Sequence, residues 1–559
     1  MNRPPSITAL PPPGEAQDED PDTLKPSAVD PSASIDPHTG AVIGKKSAAE
    51  RKFVSRLDAV LLVYTCISQV LKYLDQQNIT NAYVSGLKED LNIQGNQYNY
   101  FTTWFNVGYA LFLIASPLRL PPSQIIITRV RPSWWLPSLE FCWGCLTIGL
   151  SQVTNYKQIY VLRAFVGAFE ASAYPGAIML LMSWYTPREM ALRIACYHSC
   201  QSLGLMLSGA LQTAIYESLN GHSGVAGWRW MFIVDGIMTI VWSVLGLILI
   251  PDFPTKPKEN RGAMGYWSGS MILWLTSQPW AFWLRPQHIE IARERTQRFR
   301  RTDNKKFTLK TIVRTLRQPL FYLFVALYPS SVLAQQGYNY FSLFLKALKN
   351  PDGTPTWSTA AVNAIPIGGA AIILLTNQGV TVWVYGFMSD YFQTRWLIVM
   401  GQAIFALIPC IIMSIWNVPL GAKYFAYFAS YLSVATAPPL FAWLSDCCPH
   451  DAEQRAFILG FSIAFYYAVG AWSNVLIWPT VEVPHYLHAW QTCIALWVLV
   501  IILLCALRYT ELKYIRPRNR AIAEQKVADA LAAEAQYAGQ PQSPKNDTQT
   551  SVALVLSRV

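Results

Sequence analysis

The feature that most constrains the fold of this chain is an apolar stretch of about 20 residues that recurs along its length. Each stretch is long enough, as a helix, to cross a hydrocarbon core about 30 Å thick. Because lipid offers the backbone no hydrogen-bonding partners, such a segment folds as a helix. The sequence therefore predicts an all-α polytopic membrane protein with twelve transmembrane helices in two six-helix bundles. The predicted spans are residues 57–77, 98–118, 133–152, 158–182, 192–215, 229–250, 320–345, 358–385, 397–416, 420–444, 457–478 and 489–508.

The composition agrees with a membrane protein, because 52% of the residues are hydrophobic and only 14% are charged, against about a quarter charged in soluble domains. The formal net charge is +11. Its Lys and Arg residues lie between the apolar runs rather than across one folded face, so we expect a lipid bilayer and no nucleic acid as partner. Cys142 and Cys145 have the spacing of a redox motif, yet they fall inside a predicted span and receive no catalytic role.

The spans are arranged in two halves around a long polar connection. Two such halves are the plan of a secondary transporter in which one bundle moves against the other. The predicted units are a disordered cytosolic tail at 1–52, an N-terminal six-helix bundle at 53–250, a cytosolic central loop at 251–318, a C-terminal six-helix bundle at 319–515 and a cytosolic tail at 516–559.

The distribution of basic residues sets the orientation of the spans. Lys and Arg accumulate in cytoplasmic loops, and the central connection between Arg285 and Arg317 is dense in both. Both termini are therefore predicted to lie in the cytosol. Residues 262–284 are apolar and long enough for a thirteenth span, but a crossing there would place the basic segment outside. We interpret that stretch as interfacial or anomalous.

Two ionisable residues inside the fourth span are candidates for a functional site. Arg163 and Glu170 are seven residues apart, about two helical turns, so both project from the same face, with Gly167 between them. Ionisable groups within a span usually face the bundle interior or a water-filled path. The alternative is a structural pair that holds two helices together.

The end of the first predicted span carries a polar run that includes Asp75, Gln76 and Asn78. If the helix continues to about Gly86, Asp75 lies within the membrane and the amides form a hydrogen-bonding wall. If the helix stops at Leu74, Asp75 is a solvated helix end. The absence of a helix breaker before Gly86 favours the first alternative.

The seventh span concentrates hydrogen-bonding side chains that either bind a substrate or join helices to one another. These are Gln335, Gln336, Tyr338 and Asn339. The inner loop after the eighth span contains Gly386, Asp390 and Arg395, which are typical of charge contacts that break as two bundles separate. No phosphate-binding loop, zinc-ligand spacing or nucleophile elbow was found in a polar segment large enough to be a domain, so we expect no enzyme activity, no cofactor and no metal.

Several of these segments resemble the major facilitator superfamily. The inner loop from Gly386 to Arg395 resembles its loop signature, and Arg163 to Gly167 resembles its fourth-helix signature. Other segments resemble the fungal anion:cation symporter branch, which includes allantoate and pantothenate permeases, and the run 128–137 is most similar to the pantothenate group. The segments that carry the branch resemblance are 73–78, 163–176, 189–193 and 227–230.

The resemblance implies proton-coupled symport of a small organic anion by a monomer in the plasma membrane. In bacterial sugar-acid members of that branch, acids in helices 1 and 4 carry protons and Arg residues bind the substrate carboxylate; the matching positions are Asp75, Glu170 and Arg163. Where those relatives have an Arg after the helix 1 acid, this chain has Gln76. That difference leaves room for a larger or less charged substrate.

Alternative functions are efflux of a fungal metabolite on the same scaffold and, more distantly, a membrane receptor or sensor. Three stretches also look inserted relative to the family pattern, at about 115–121, 262–284 and 374–379. Retained introns in the gene annotation would explain them. We expect all three to be artefacts or local bulges rather than functional elements.

Overall fold

The computed structural model of the protein describes residues 34–35, 42–43, 47–114, 131–254, 281–298, 309–372, 396–448 and 452–521. Of the three stretches that look inserted, only the last four residues of the second lie within these ranges. Two short strands, β1 (Ser34–Ile35) and β2 (Val42–Ile43), pair antiparallel ahead of the first helix. Apart from one isolated antiparallel bridge between Lys349 and Pro355, the rest of the described secondary structure is helical.

The helices of the first half follow the predicted order. They are α1 (Ala48–Asp90), α2 (Gln97–Ile114), α3 (Pro132–Leu150), α4 (Tyr156–Trp184), α5 (Pro187–Leu219) and α6 (Gly227–Leu249). The described part of the central connection forms α7 (Pro286–Arg298) and α8 (Leu309–Leu316).

The second half repeats the pattern with two interrupted spans. Its helices are α9 (Pro319–Ala334), α10 (Phe341–Ala347), α11 (Thr359–Ile372), α12 (Trp396–Ile415), α13 (Leu420–Ser430), α14 (Ala437–Cys447), α15 (Ala452–Ile477) and α16 (Leu487–Ala521). With α9 and α10 counted as one span and α13 and α14 as another, these segments match the twelve predicted spans. Among the described residues, six helical segments are long and apolar enough to cross a bilayer by length and composition alone.

Local sequence signals explain where several helices begin. Asn155 caps α4, and Gln158 completes the capping box by bonding back to the cap backbone. Thr186 and Glu189 form the same arrangement ahead of Pro187 at the start of α5. Each box satisfies N–H groups that a helix start otherwise leaves unpaired.

Glycines allow α2 and α4 to pack with their backbones in contact. A Cβ at Gly167 would lie 2.2 Å from the Phe105 carbonyl oxygen, and one at Gly108 would lie 1.9 Å from the Ala164 carbonyl oxygen. No side chain fits at such distances, so both positions require glycine. This close approach brings the face of α4 that carries Arg163 and Glu170 against the interior of the first half.

The two halves meet along α2 with α15 and along α5 with α11. We call the end of the molecule that holds Ala48 and Ala521 the basic end, and the other the opposite end. At the opposite end Lys346 forms an ion pair with Glu89 (2.9 Å), and Asn363 donates to Ser85 Oγ (2.9 Å). These contacts join the second half to the last turns of α1.

Asn99 at the start of α2 adds a denser contact at the opposite end. Its Nδ2 donates to the carbonyl oxygens of Trp478 (2.5 Å) and Asn474 (3.3 Å), and its Oδ1 accepts from the backbone N–H of Thr480 (3.1 Å). The Asn99 side chain is only 2% exposed. One buried amide therefore ties α2 to the end of α15 and holds the two halves together at this end.

We expect Asn99→Ala to loosen this contact, because the variant loses several neutral hydrogen bonds worth about 1 kcal/mol each. An Asn339→Cys probe between the halves should then react with an impermeant thiol reagent in intact cells several-fold faster than in the Asn99 parent. Asn96→Ala is the matched control, since the hydrogen bond described for the Asn96 side chain is one long bond that its Oδ1 accepts from the Val481 N–H (3.4 Å). Equal labelling of the two variants would contradict the role of Asn99.

The central connection packs against the first half at the basic end. Arg295 of α7 is buried between Glu50 (3.0 Å) and Glu189, with which it also forms an ion pair. Trp283 Nε1 donates to the Leu249 carbonyl oxygen (3.0 Å) at the end of α6. Residues 281–298 thus pack against the basic end of the first half and do not continue α6.

This placement gives a test of the predicted topology. Gln287 on α7 and Asp352 in the loop before α11 are both exposed. We expect Gln287→Cys to resist an impermeant thiol reagent in intact cells and to react after permeabilisation, because basic loops stay cytosolic. Asp352→Cys should react in intact cells. Labelling of Gln287→Cys in intact cells would show that the predicted topology is wrong.

Candidate functional site

Helix α1 carries its polar run into the centre of the first half. The helix continues past Asp75 without a break until Ser85 and Gly86, where the backbone leaves helical geometry and Gly86 takes a φ of 119°. Asp75 and Asn78 are fully buried. The alternative in which Asp75 caps a helix end is therefore excluded by the structure.

Helix α4 places its two predicted site residues on the same buried face. Arg163 is 2% exposed and Glu170 is 0% exposed. The Arg163 guanidinium lies 4.7 Å from the centre of the Phe105 ring, and both residues act electrostatically on Asp75. Among the described residues, Arg163 Nε and Nη1 have no hydrogen-bond partner, so these N–H groups can donate to an anionic ligand.

A third carboxyl group, Asp235 of α6, lies beside Asp75. We call Asp75, Glu170 and Asp235 the acid cluster. Each member accepts one hydrogen bond from a neighbouring polar side chain. The pairs are Thr147 Oγ1 to Asp75 Oδ1 (3.2 Å), Gln76 Nε2 to Glu170 Oε2 (2.7 Å) and Asn78 Nδ2 to Asp235 Oδ2 (2.7 Å).

The second oxygen of each acid receives no donor from the described part of the chain. These atoms are Asp75 Oδ2, Glu170 Oε1 and Asp235 Oδ1. Asp75 lies close enough to both Glu170 and Asp235 for its carboxyl group to interact with theirs. Two carboxyl groups can share a hydrogen bond only when one of them carries a proton. The acid cluster therefore has places for protons.

Lys72 is a second buried cation near the cluster, with 3% of its surface exposed. Its ammonium donates to Tyr109 Oη (3.3 Å) and interacts with Glu170. The Tyr109 ring stacks on Tyr467 of α15 at 3.7 Å between centroids. Lys72 thus lies where the first half faces the second.

A small polar cavity lies between the halves. It is lined by Gln77 and Asn81 of α1, Leu205 and Gly209 of α5, Tyr338, Asn339 and Ser342 from the second half, Asn363, Pro366 and Ile367 of α11, and Tyr431. This lining contains amide, hydroxyl and apolar groups and no charged side chain. It suits the uncharged polar part of a ligand.

The predicted residues of the seventh span separate into two groups. The helix ends at Ala334, and Gln336–Tyr340 form a 3₁₀ turn before α10. This break directs Tyr338 and Asn339 into the cavity. Gln336 instead donates to Tyr466 Oη (2.9 Å), and Gln335 is buried with its Oε1 unpartnered among the described residues.

The other predicted amides serve the acid cluster. Gln76 bonds to Glu170 and Asn78 bonds to Asp235, so neither lines the cavity that the structure describes. Gly386, Asp390 and Arg395, the predicted gating residues, lie outside the described residues.

Asp235 and Lys72 were not among the predicted site residues, although a signal for both was present. Each is an ionisable residue inside a predicted span, Lys72 in 57–77 and Asp235 in 229–250. The rule that selected Arg163 applies equally to them. Thr147 and Ser208 give no such signal, since hydroxyl groups are common in membrane helices.

Two helical halves with a polar cavity between them, and buried ionisable groups within the first half, are typical of a membrane transporter. The chain belongs to the Major Facilitator Superfamily, whose sequence profile matches residues 65–474. This confirms the family resemblance and the expected fold, and it makes the chain a multi-pass membrane protein and a transporter.

Individual relatives agree with this assignment. The chain is 32% identical to the MFS transporter PfmaC of Pestalotiopsis fici, over 80% of this chain and 78% of that protein. It is 27% identical to the pantothenate transporter liz1 of Schizosaccharomyces pombe, over 90% of each chain. The crystal structure of a bacterial homologue of the human lysosomal transporter Spinster covers 84% of this chain and 99% of its own, with a TM-score of 0.53 and 14% identity; it shares the fold.

Proposed function

We propose that this transporter carries a small organic anion, a pantothenate-like carboxylate, together with protons across the plasma membrane by alternating access. The observation that supports this most is the buried Arg163, whose Nε and Nη1 lack partners in the described part of the chain, near the carboxyl groups of Asp75 and Glu170. A cation beside proton-accepting groups offers a site for an anion and a site for its co-transported proton.

The polar cavity supplies the second part of the proposed substrate site. Asn339 and Asn363 from the second half and Gln77 from the first face the same space. Amides and hydroxyls of a pantothenate-like acid can bond to such groups, while its carboxylate pairs with Arg163. The likeness to a pantothenate transporter over 90% of both chains supports this substrate class.

Coupling follows from the charge of Arg163. In the empty site, Arg163 favours the ionised form of the neighbouring acids. A bound substrate carboxylate partly neutralises the arginine, so protonation of Glu170 becomes easier; binding of anion and proton then favour each other reciprocally. Asp75 contributes as a second proton-coupling group.

The change of face requires the two bundles to separate at one end and close at the other. The hydrogen bonds at the opposite end hold one arrangement together. We propose that the loop containing Gly386, Asp390 and Arg395 supplies the charge contacts that stabilise the other arrangement. Each bundle, 53–250 and 319–515, moves as a unit within a monomer.

An uptake assay with matched probes tests this function. Cells that express the protein should take up labelled pantothenate, and uptake should rise when the external pH is lowered. Panthenol, in which a hydroxymethyl group replaces the carboxylate, should be a poor substrate. Equal uptake of both compounds at two external pH values would reject an anion and proton symporter. Substrate release without uptake would favour efflux.

A further inference from the structure

A line of hydrogen bonds connects the polar cavity with Asp235. Asn81, which lines the cavity, donates through Nδ2 to Ser208 Oγ (2.8 Å). Ser208 donates through Oγ to Asn78 Oδ1 (2.7 Å), and Asn78 donates through Nδ2 to Asp235 Oδ2 (2.7 Å). All four side chains are at least nine-tenths buried. Their donors all point in one direction, toward the carboxyl group.

This direction has a physical cause. An asparagine beside a carboxylate turns its NH₂ group toward it, because its carbonyl oxygen would be repelled. The Asn78 carbonyl then faces away and accepts from Ser208, which leaves the Ser208 oxygen free to accept from Asn81. A change at Asn81 can therefore reach Asp235 without any charged side chain in between.

The charges around Asp235 make it a place for a proton. The charged groups that act on it are Asp75 of α1 and Glu170 of α4, both of its own sign. On the α3 side, Gly236, the residue next to Asp235, packs against Ile148 and the Gly144 backbone. On the α5 side, the line of hydrogen bonds contributes the hydroxyl group of Ser208. Asp235 Oδ1 has no donor in the described part of the chain.

We propose that Asp235 is a third proton-carrying carboxyl group, which exchanges a proton with Asp75 and is linked to the substrate cavity through Asn78, Ser208 and Asn81. This inference rests on the proposed proton-coupled transport and extends it to a residue on α6. The transferred species is a proton, because neighbouring carboxyl groups can share one when one of them is protonated. A substrate that occupies the cavity at Asn81 changes the hydrogen bond that Asn78 donates to Asp235. In response, a proton moves between Asp235 and Asp75.

Infrared spectroscopy of the purified full-length protein in lipid vesicles tests this without any transported substrate. Protonated buried carboxyl groups give a carbonyl stretching band that can be titrated with pH. We expect Asp235→Asn to reduce the amplitude of the titrating band by the contribution of one carboxyl group. The pH midpoint of the remaining band should shift. Ser208→Ala, which removes a link but no acid, should keep the full amplitude.

A second infrared measurement tests the connection between the cavity and Asp235. Addition of pantothenate should change the titration of the wild-type band and leave that of Ser208→Ala largely unaltered. If Asp235→Asn leaves both amplitude and midpoint as in the wild type, Asp235 does not exchange a proton and the inference is wrong.

Two further measurements separate the possible failures. If Asp235→Asn does not fold, Asp235→Glu keeps an acid at a shifted position and must keep the amplitude while moving the midpoint; an unmoved band then rejects the proposal. Loss of pH-driven uptake in the wild type would reject the proposed transport function. The infrared titration of Asp235 is independent of that result.

Discussion

Glu170→Gln is expected to abolish accumulation of substrate against a gradient while leaving exchange of substrate across the membrane. Glutamine resembles the protonated acid in shape and still pairs with Gln76, which bonds to Glu170 at 2.7 Å. The variant can therefore bind substrate and change face, but position 170, the principal coupling site, can no longer take up and release a proton. Each pH unit is worth a tenfold accumulation per coupled proton, so the ratio of inside to outside substrate should fall from about ten to about one under a gradient of one pH unit.

The dependence of uptake on external pH should distinguish Glu170→Gln from the wild type. Wild-type uptake should rise as the external pH falls, because loading requires the protonated acid. Uptake by Glu170→Gln should be nearly flat. Glu140→Gln is a matched control, since Glu140 is a buried acid of α3 that bonds to Tyr64 Oη (2.6 Å) and not to the acid cluster. A Glu170→Gln variant that still concentrates substrate would move the coupling site to Asp75 or Asp235.

Arg163→Ala is expected to remove transport of anionic substrates while the protein remains folded in the membrane. A charge-assisted hydrogen bond contributes about 1.5–3 kcal/mol, so loss of a carboxylate contact should raise the half-saturating concentration roughly 10-fold to 100-fold or more. Arg163→Lys should restore little, because a planar guanidinium suits a carboxylate better than a point charge.

The control for Arg163 is another arginine of the first half. Arg229→Ala removes a hydrogen bond to the Ser151 carbonyl oxygen (2.5 Å) at the opposite end, away from the acid cluster. Its uptake should stay within about two-fold of wild type at equal abundance in the membrane, because the contacts that the structure describes for the half-buried Arg229 side chain are to Ser151 and the Trp228 ring and not to the acid cluster. Full activity of Arg163→Ala would show that Arg163 only holds helices together.

The helical architecture followed directly from the sequence, because each span needs about 20 apolar residues and basic residues mark the loops. The breaks within spans did not. The polar run Gln335 to Tyr340 predicted binding groups, but the helix changes there to a 3₁₀ turn in which Tyr340 stacks on Trp478 (4.5 Å between centroids). That contact joins residues far apart in the chain, which no local pattern reveals.

The candidate site was predictable where its residues lie on one helix. Arg163 and Glu170 share a face by their spacing, and Asp75 follows from the continuation of α1. Asp235 joins them because α6 packs closely on α3, where a Cβ at Gly236 would lie 2.8 Å from the Gly144 carbonyl oxygen. The partners of an ionisable group on another helix depend on such packing. The sequence could indicate that Asp235 is costly to bury, but not which acid it would face.

The central claim is that a proton gradient drives an organic anion through this protein. Its most direct test uses purified protein in liposomes, with the interior more alkaline than the exterior by one pH unit and the membrane potential clamped at zero. We predict that labelled pantothenate accumulates inside to about ten times its external concentration for one coupled proton, and that a protonophore abolishes the accumulation. Equilibration to the same internal level with and without the pH gradient would contradict the proposal.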